Sequence, residues 1–240
     1  MRAVDEGASA TLPSEPPREN PLFGRFLLFV ALVLGQLFVS TDAQARAPVR
    51  DVATIAWAIG VDHKHLSLKA RRLFAKELQD AGRRHNFDAF TGVALIWHES
   101  RWRAWRVSHD GEDFGLGQIR ARYVRGCRRD IPGAQDTSSS CEAAKATLLN
   151  PVWAIRRMGA LIAGKRAWCR KHTGKPALFA RWLHAYGYKQ RKNLKCNMQR
   201  TKKGWKDQTV PREIRRIIQY RKRLISLLKK RRSARKRRRK

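Results

Sequence analysis

Apolar residues in this chain recur three and four positions apart, and no stretch sustains the two-residue alternation of a half-buried strand. That period confines the fold to packed helices. Ala70, Leu73, Phe74, Leu78 and Ala81 form one stripe, with Ser67 placed to cap its start and Gly82 placed to end it. Asp88 is placed to cap a second helix through Val93, Leu95, Ile96 and Trp97. Asn150-Pro151, a capping side chain followed by proline at the first helical position, opens a third. Its packing face is Val152, Ile155, Gly159 and Ile162, and Gly164 is expected to stop it. A fourth begins near Pro176 and carries Phe179, Trp182, Leu183 and Tyr186. The expectation is a mainly α fold: a single helical domain with at most a small β-hairpin near Ser108–Ile119.

The first twenty residues are polar and Pro-rich and predict no fold, and Phe23 to Val39 then form an apolar run. Its uninterrupted part, Phe26 to Leu34, is short for a membrane span, which needs about 20 apolar residues. Arg18 and Arg25 precede it, and the small-x-small triplet Ala43-Gln44-Ala45 follows, as in a secretory signal. Residues 1–45 are therefore read as a polar leader and signal peptide cleaved after Ala45, with an uncleaved anchor as the alternative. The division that follows is a linker over 46–66, a folded domain over 67–210, and a C-terminal extension over 211–240. His63 and His65 read as solvated loop residues.

Four cysteines lie beyond the leader: Cys127, Cys141, Cys169 and Cys196. An even number in an exported chain reads as two disulfides, and sequence leaves three pairings open. The sequence-local solution joins Cys127 to Cys141 and Cys169 to Cys196. No CxxC pair supports a zinc site, and no metal or organic cofactor is expected.

The net charge is +34, with 53 Lys and Arg against 19 Asp and Glu. Such a surface concentrates polyanions near itself, and charge alone leaves nucleic acid, anionic lipid and acidic wall polymers open. Hydrophobic residues at 42% supply a core and exclude a wholly disordered chain. In 211–240, Ile214, Ile217, Ile218, Ile225 and Leu228 make an apolar stripe on a cationic helix, and past Lys229 the chain is almost wholly Lys and Arg. This extension, net +15, reads as a basic amphipathic helix with a disordered cationic tail, retained electrostatically on anionic envelope polymers or a membrane surface.

The densest chemistry lies between Ala94 and Cys127. Glu99 closes an apolar helical segment, with Leu95 and Ile96 one turn back and Trp102 beyond. A carboxyl among such side chains is desolvated and stays protonated to higher pH, as a general acid at a glycosidic oxygen requires. The plain alternative is an ion pair with Arg101 or Arg103. The glycines of Gly115-Leu116-Gly117-Gln118-Ile119 permit close backbone approach, and Gln118 offers a donor and an acceptor to a sugar.

Glu99-Ser100, Ser108, Gly115 to Ile119, Asn150-Pro151 and Ala185-Tyr186 follow one another as do the motifs of lytic transglycosylases of the lysozyme-like superfamily, and the chain resembles that family over roughly residues 68–190. The resemblance implies cleavage of the MurNAc–GlcNAc bond of peptidoglycan with formation of 1,6-anhydro ends. It makes Glu99 the general acid and base, with Ser100, Gln118 and Tyr186 orienting the sugar, and it implies a bacterial envelope setting. Gly187 departs from the family, which has Asn after the Tyr. The run Asp113 to Ile119, followed by Arg122-Tyr123 and Cys127, also resembles lysozyme itself, in which case Asp113 is a second carboxylate and the outcome is hydrolysis. A third reading is a non-enzymatic polyanion binder, with Trp97, Trp102 and Trp105 interleaved with Arg101, Arg103 and Arg106 as a stacking platform. Export argues against a specific nucleic-acid partner.

Overall fold

A computed structural model describes residues 50–175, 179–187 and 194–238. The leader, its apolar run and the cleavage triplet lie outside the described residues, all of which belong to one compact unit, Arg46–Lys240. The chain is predominantly helical, as expected from its period. Seven α-helices occur among the described residues: α1 (Val52–Gly60), α2 (Leu68–His85), α3 (Ala89–Glu99), α4 (Ser139–Leu149), α5 (Pro151–Thr173), α6 (Phe179–Gly187) and α7 (Arg212–Arg237). None is long and apolar enough to cross a membrane.

The caps work as local chemistry dictates. Ser67, Asp88 and Asn150 each accept a backbone N–H in the first turn of α2, α3 and α5. The two glycine stops do not occur. The helix α2 runs past Gly82 to a left-handed Asn86, because Gly82 is needed for packing: a Cβ there would sit 2.7 Å from the Phe87 carbonyl oxygen. Likewise α5 runs past Gly164 and ends at left-handed Gly174.

Two short antiparallel sheets replace the single hairpin. The hairpin β1 (Asp113–Phe114) with β2 (Ile119–Arg120) lies inside the glycine region where one was expected, in register Asp113↔Arg120. A second sheet of β3 (Leu194–Lys195), β4 (Met198–Thr201) and β5 (Gly204–Asp207) was not foreseen. Its first turn is Cys196-Asn197, both at positive φ as a two-residue hairpin loop requires. Disulfides join Cys127 to Cys141 and Cys169 to Cys196, the sequence-local pairing, and the second bolts α5 to that turn. They fit an oxidising, exported setting.

The main core draws on α1, α2, α3, α5, α6 and α7. A smaller cluster of Phe114, Ile119, Ala121, Val124, Ala144 and Leu148 sits under the first hairpin, a 3-10 turn (Ala121–Tyr123) and α4. The linker reading of 46–66 fails here, since α1 buries Ile55, Ala56, Ala58 and Ile59 in the main core. Nor is His63 solvated: it is buried beside Trp102, and desolvation with the neighbouring His65 pushes its pKa down to about 4. The C-terminal extension changes status as well. Ile214, Ile217, Tyr220, Leu224 and Leu228 of α7 are buried in the main core, and the helix continues to Arg237 where a disordered tail was expected. Tyr220 stacks flat on Trp97 of α3 at 4.1 Å, so α7 forms the back wall of that helix.

Burying five such side chains contributes roughly 1.5–3 kcal/mol each, together comparable to the whole stability of a domain. Truncation before Arg212 is therefore expected to abolish cooperative unfolding, whereas truncation after Leu228 leaves it intact. Thermal melts followed by circular dichroism check this, and a cooperative melt from the shorter chain would contradict the role given to α7.

Candidate active site

The last residue of α3 is Glu99. Its position follows from the helix's burial, since every residue from Ala89 to Ile96 is shielded and α3 surfaces only in its final turn. Glu99 itself is half-buried, and its carboxyl has no hydrogen-bond or ion-pair partner among the described residues. The ion pair with Arg101 or Arg103 does not form; the Arg101 guanidinium lies instead over the Trp97 ring at 3.8 Å.

Burial pushes the pKa of Glu99 up to about 8, the charge of Asp113 adds to the rise, and Arg106 opposes it. The C-terminal end of α3 carries partial negative charge, which disfavours the anion further. Desolvation thus outweighs the opposing Arg106 guanidinium despite the basic character of the chain. Arg106 was noted in the sequence only as a polyanion contact. Its charge at Glu99 has no local motif, because the two are brought together by consecutive left-handed residues, Arg101 and Trp102, after the helix end.

The hairpin bears on Glu99 through the charge of Asp113. Asp113 is held by Arg120 through both carboxylate oxygens, at 3.0 and 3.1 Å, from the facing position of β2. Ser108 organises the loop before it: its hydroxyl donates to Asp110 and accepts the Asp113 amide at 2.9 Å. Gly115, at φ +72, lies so close to the Leu148 carbonyl oxygen that a Cβ would overlap it at 2.0 Å. The close approach expected of this glycine is therefore to the protein's own backbone, and it seats the hairpin on α4.

Tyr186 of α6 donates its hydroxyl to the Gly117 carbonyl at 2.9 Å, tying α6 to the hairpin loop. Its own pKa is held well above the ordinary phenol range by burial and by the charges of Glu99 and Asp113, which places all three groups in one electrostatic neighbourhood. Gln118 commits its amide nitrogen to the carbonyls of Arg106 and Gly115, leaving its oxygen unbonded among the described residues. Ser100 departs from its expected role. It is 0% exposed, and its hydroxyl donates back to the Ile96 carbonyl at 3.2 Å, so it closes α3 and does not reach a ligand.

The three tryptophans do not make a platform. Trp97 is sandwiched between Arg101 and Tyr220, Trp102 is buried against Phe74, and Trp105 alone is open, at 72% exposure. The Cys127–Asp136–Cys141 cluster is the one grouping of metal-ligating side chains among the described residues, and the disulfide takes its two sulfurs.

Comparison with protein-family models, with curated proteins and with solved structures gave no match.

Because the folded chain holds the Glu99 proton more tightly than the unfolded chain, Glu99 costs stability as pH rises from the ordinary Glu range towards about 8. Glu99→Gln removes that cost, so its gain in Tm is expected to grow across this window and level off above it. Asp113→Asn lowers the Glu99 pKa and Arg106→Gln raises it. Equal Tm gains at about pH 5 and about pH 9 would refute the assignment.

Proposed function

We propose that this protein is a peptidoglycan lytic transglycosylase, cleaving the MurNAc–GlcNAc β-1,4 bond with Glu99 as its single general acid and base. The observation that carries the reading is the unpaired Glu99 carboxyl at the end of α3, pushed up to about 8 by burial and by the charge of Asp113. A carboxyl in that state is protonated near neutrality and free to donate.

The reaction then runs in two steps. Glu99 gives its proton to the bridging oxygen as the bond from the muramyl C1 breaks. The carboxylate so formed takes the proton of the muramyl 6-hydroxyl as that oxygen bonds to C1, closing the 1,6-anhydro ring and restoring the acid. No water enters and no second carboxylate bonds to the sugar, since the substrate supplies the nucleophile. Asp113 supports this form of the reaction: with both oxygens in the Arg120 fork it acts on Glu99 through space, as a charge that keeps the acid protonated. Tyr186 ties the hairpin loop to α6, Gln118 ties it to the Arg106 carbonyl in the segment after α3, and the free oxygen of Gln118 is the acceptor offered to the sugar. The disulfides fit an exported, periplasmic site of action.

Purified peptidoglycan digested with the chain is expected to yield muropeptides ending in 1,6-anhydro-MurNAc by mass spectrometry. Glu99→Gln is expected to cost about 10²-fold or more in rate, as for loss of a general acid. Reducing ends together with an equal loss in Asp113→Asn would assign hydrolysis by paired carboxylates instead. Undiminished activity in Glu99→Gln would remove the enzymatic reading.

A further inference from the structure

The outward face of α7 is ordered in a way that its composition does not reveal. With the stripe from Ile214 to Leu228 turned into the core, helical geometry at about 100° per residue fixes where every other side chain points. Two cationic rows result, each with one member every seven residues, or about 10.5 Å along the axis. One row is Arg215, Lys222, Lys229 and Lys236; the other is Arg216, Arg223, Lys230 and Arg237. Between them, diametrically opposite the core stripe, runs a line of short uncharged side chains: Gln219, Ser226 and Ser233. All eleven of these residues are exposed. The helix, 26 residues and about 39 Å long, thus presents a shallow trough with charged walls and a hydrogen-bonding floor.

Neutralisation from within the protein is slight. Arg223 pairs with Asp62 and Arg216 lies near His98, whereas the whole first row has no acidic partner among the described residues. From Lys229 to Arg237 seven of nine residues are cationic and none is acidic. We infer that this trough is a binding site for a linear phosphate-bearing polymer, a single strand lying along α7 between its two rows of cations. Nine of the thirteen cations on α7 are arginines, whose forked guanidinium matches phosphate better than a point charge does. The trough floor discriminates strand from sheet: Ser226 and Ser233 lie below the ends of the flanking lysines and arginines, so a strand reaches their hydroxyls and a flat bilayer does not. Membrane insertion by α7 is excluded by its packing, because the apolar face it would need is already in the core. The site is remote in chemistry from Glu99 and stands whether or not the glycan reading holds.

The test uses the full chain and three probes over a salt series: long-chain inorganic polyphosphate, polyglutamate of matched charge, and phosphatidylglycerol vesicles. Polyphosphate is expected to bind tightest. Replacing the first row (Arg215→Gln, Lys222→Gln, Lys229→Gln, Lys236→Gln) is expected to weaken polyphosphate binding roughly 10²-fold near 0.1 M salt and to flatten the log–log salt slope by about 3. Ser226→Glu, which keeps every cation but puts an anion on the floor, is expected to weaken it about tenfold or more. All substituted residues are exposed, and an unchanged Tm verifies folding. Equal losses from a control set remote from α7 (Arg83→Gln, Arg84→Gln, Lys202→Gln, Lys203→Gln) would show that net charge alone binds, and would overturn the site. Equal or tighter binding of the vesicles or of polyglutamate would overturn the polymer class.

Discussion

Three parts of this fold meet at the carboxylate of Asp88. Its oxygens accept the Arg50 guanidinium at 2.7 and 3.1 Å, Arg221 of α7 at 2.9 Å, and the Phe90 amide at the start of α3 at 3.2 Å. Arg50 at the same time lies over the Phe90 ring at 3.9 Å. One buried side chain therefore caps the helix that ends in Glu99 and joins it to the segment leading into α1 and to the basic helix behind it. Removing one member of such a buried set leaves uncompensated charge and costs about 3–5 kcal/mol. The Trp97–Tyr220 stack makes the second attachment of α3 to α7, within the last turn of the helix. Between these two fixings α3 has no freedom to roll, and the place of Glu99 is set by interactions on the far side of its helix.

That rigidity matters because the electrostatic balance at Glu99 is close. A chain of net charge +34 tends to pull any carboxyl into its ionised form. Around the site the cations are occupied elsewhere: Arg120 with Asp113, Arg122 with Glu112, and Arg101 with the Trp97 ring. Among the described residues Arg106 alone acts on Glu99 as an opposing charge, and burial exceeds it. The acid pairs of the hairpin thus do two things at once. They hold β1 against β2, and they shield Glu99 from the basic surface beyond.

What the sequence made legible was the part governed by local chemistry. Capping residues, the proline at the start of α5 and the period of α2 and α3 locate helix starts well, because each acts within one turn. Helix ends were misjudged at Gly82 and Gly164, where close packing against the returning chain at Phe87 or simple tolerance, not termination, explains the glycine. The β3–β5 sheet escaped because its strands are of two to four residues, too short for any alternation to register. Within the site, Glu99 was visible as the last residue of an apolar helix. Ser100 was misread because adjacency in sequence says nothing of direction: at a helix end the next residue turns inward, here onto the Ile96 carbonyl. The Asp113–Arg120 fork was invisible because it depends on hairpin register, which a seven-residue separation does not reveal.

The C-terminal helix shows why charge counts mislead about structure. Like charges three and four residues apart oppose helix formation, and α7 carries many such pairs. Up to Leu228 the buried stripe offsets that repulsion. Beyond it the core offers nothing, and the contact of Arg231 with the Trp57 ring, 5.2 Å from its centroid, together with the charge of Arg232 acting on Asp51, still ties the helix to α1. The last turns are therefore the part of the fold most sensitive to a counter-ion. A polyanion lying in the trough removes the repulsion along both rows and stabilises the folded chain in proportion to its occupancy. The helix that fixes α3 from behind is in this way the same element whose stability responds to a charged polymer outside. Its inner face supplies hydrophobic burial, its outer face a ladder of cations, and the seven-residue spacing keeps the two on separate sides.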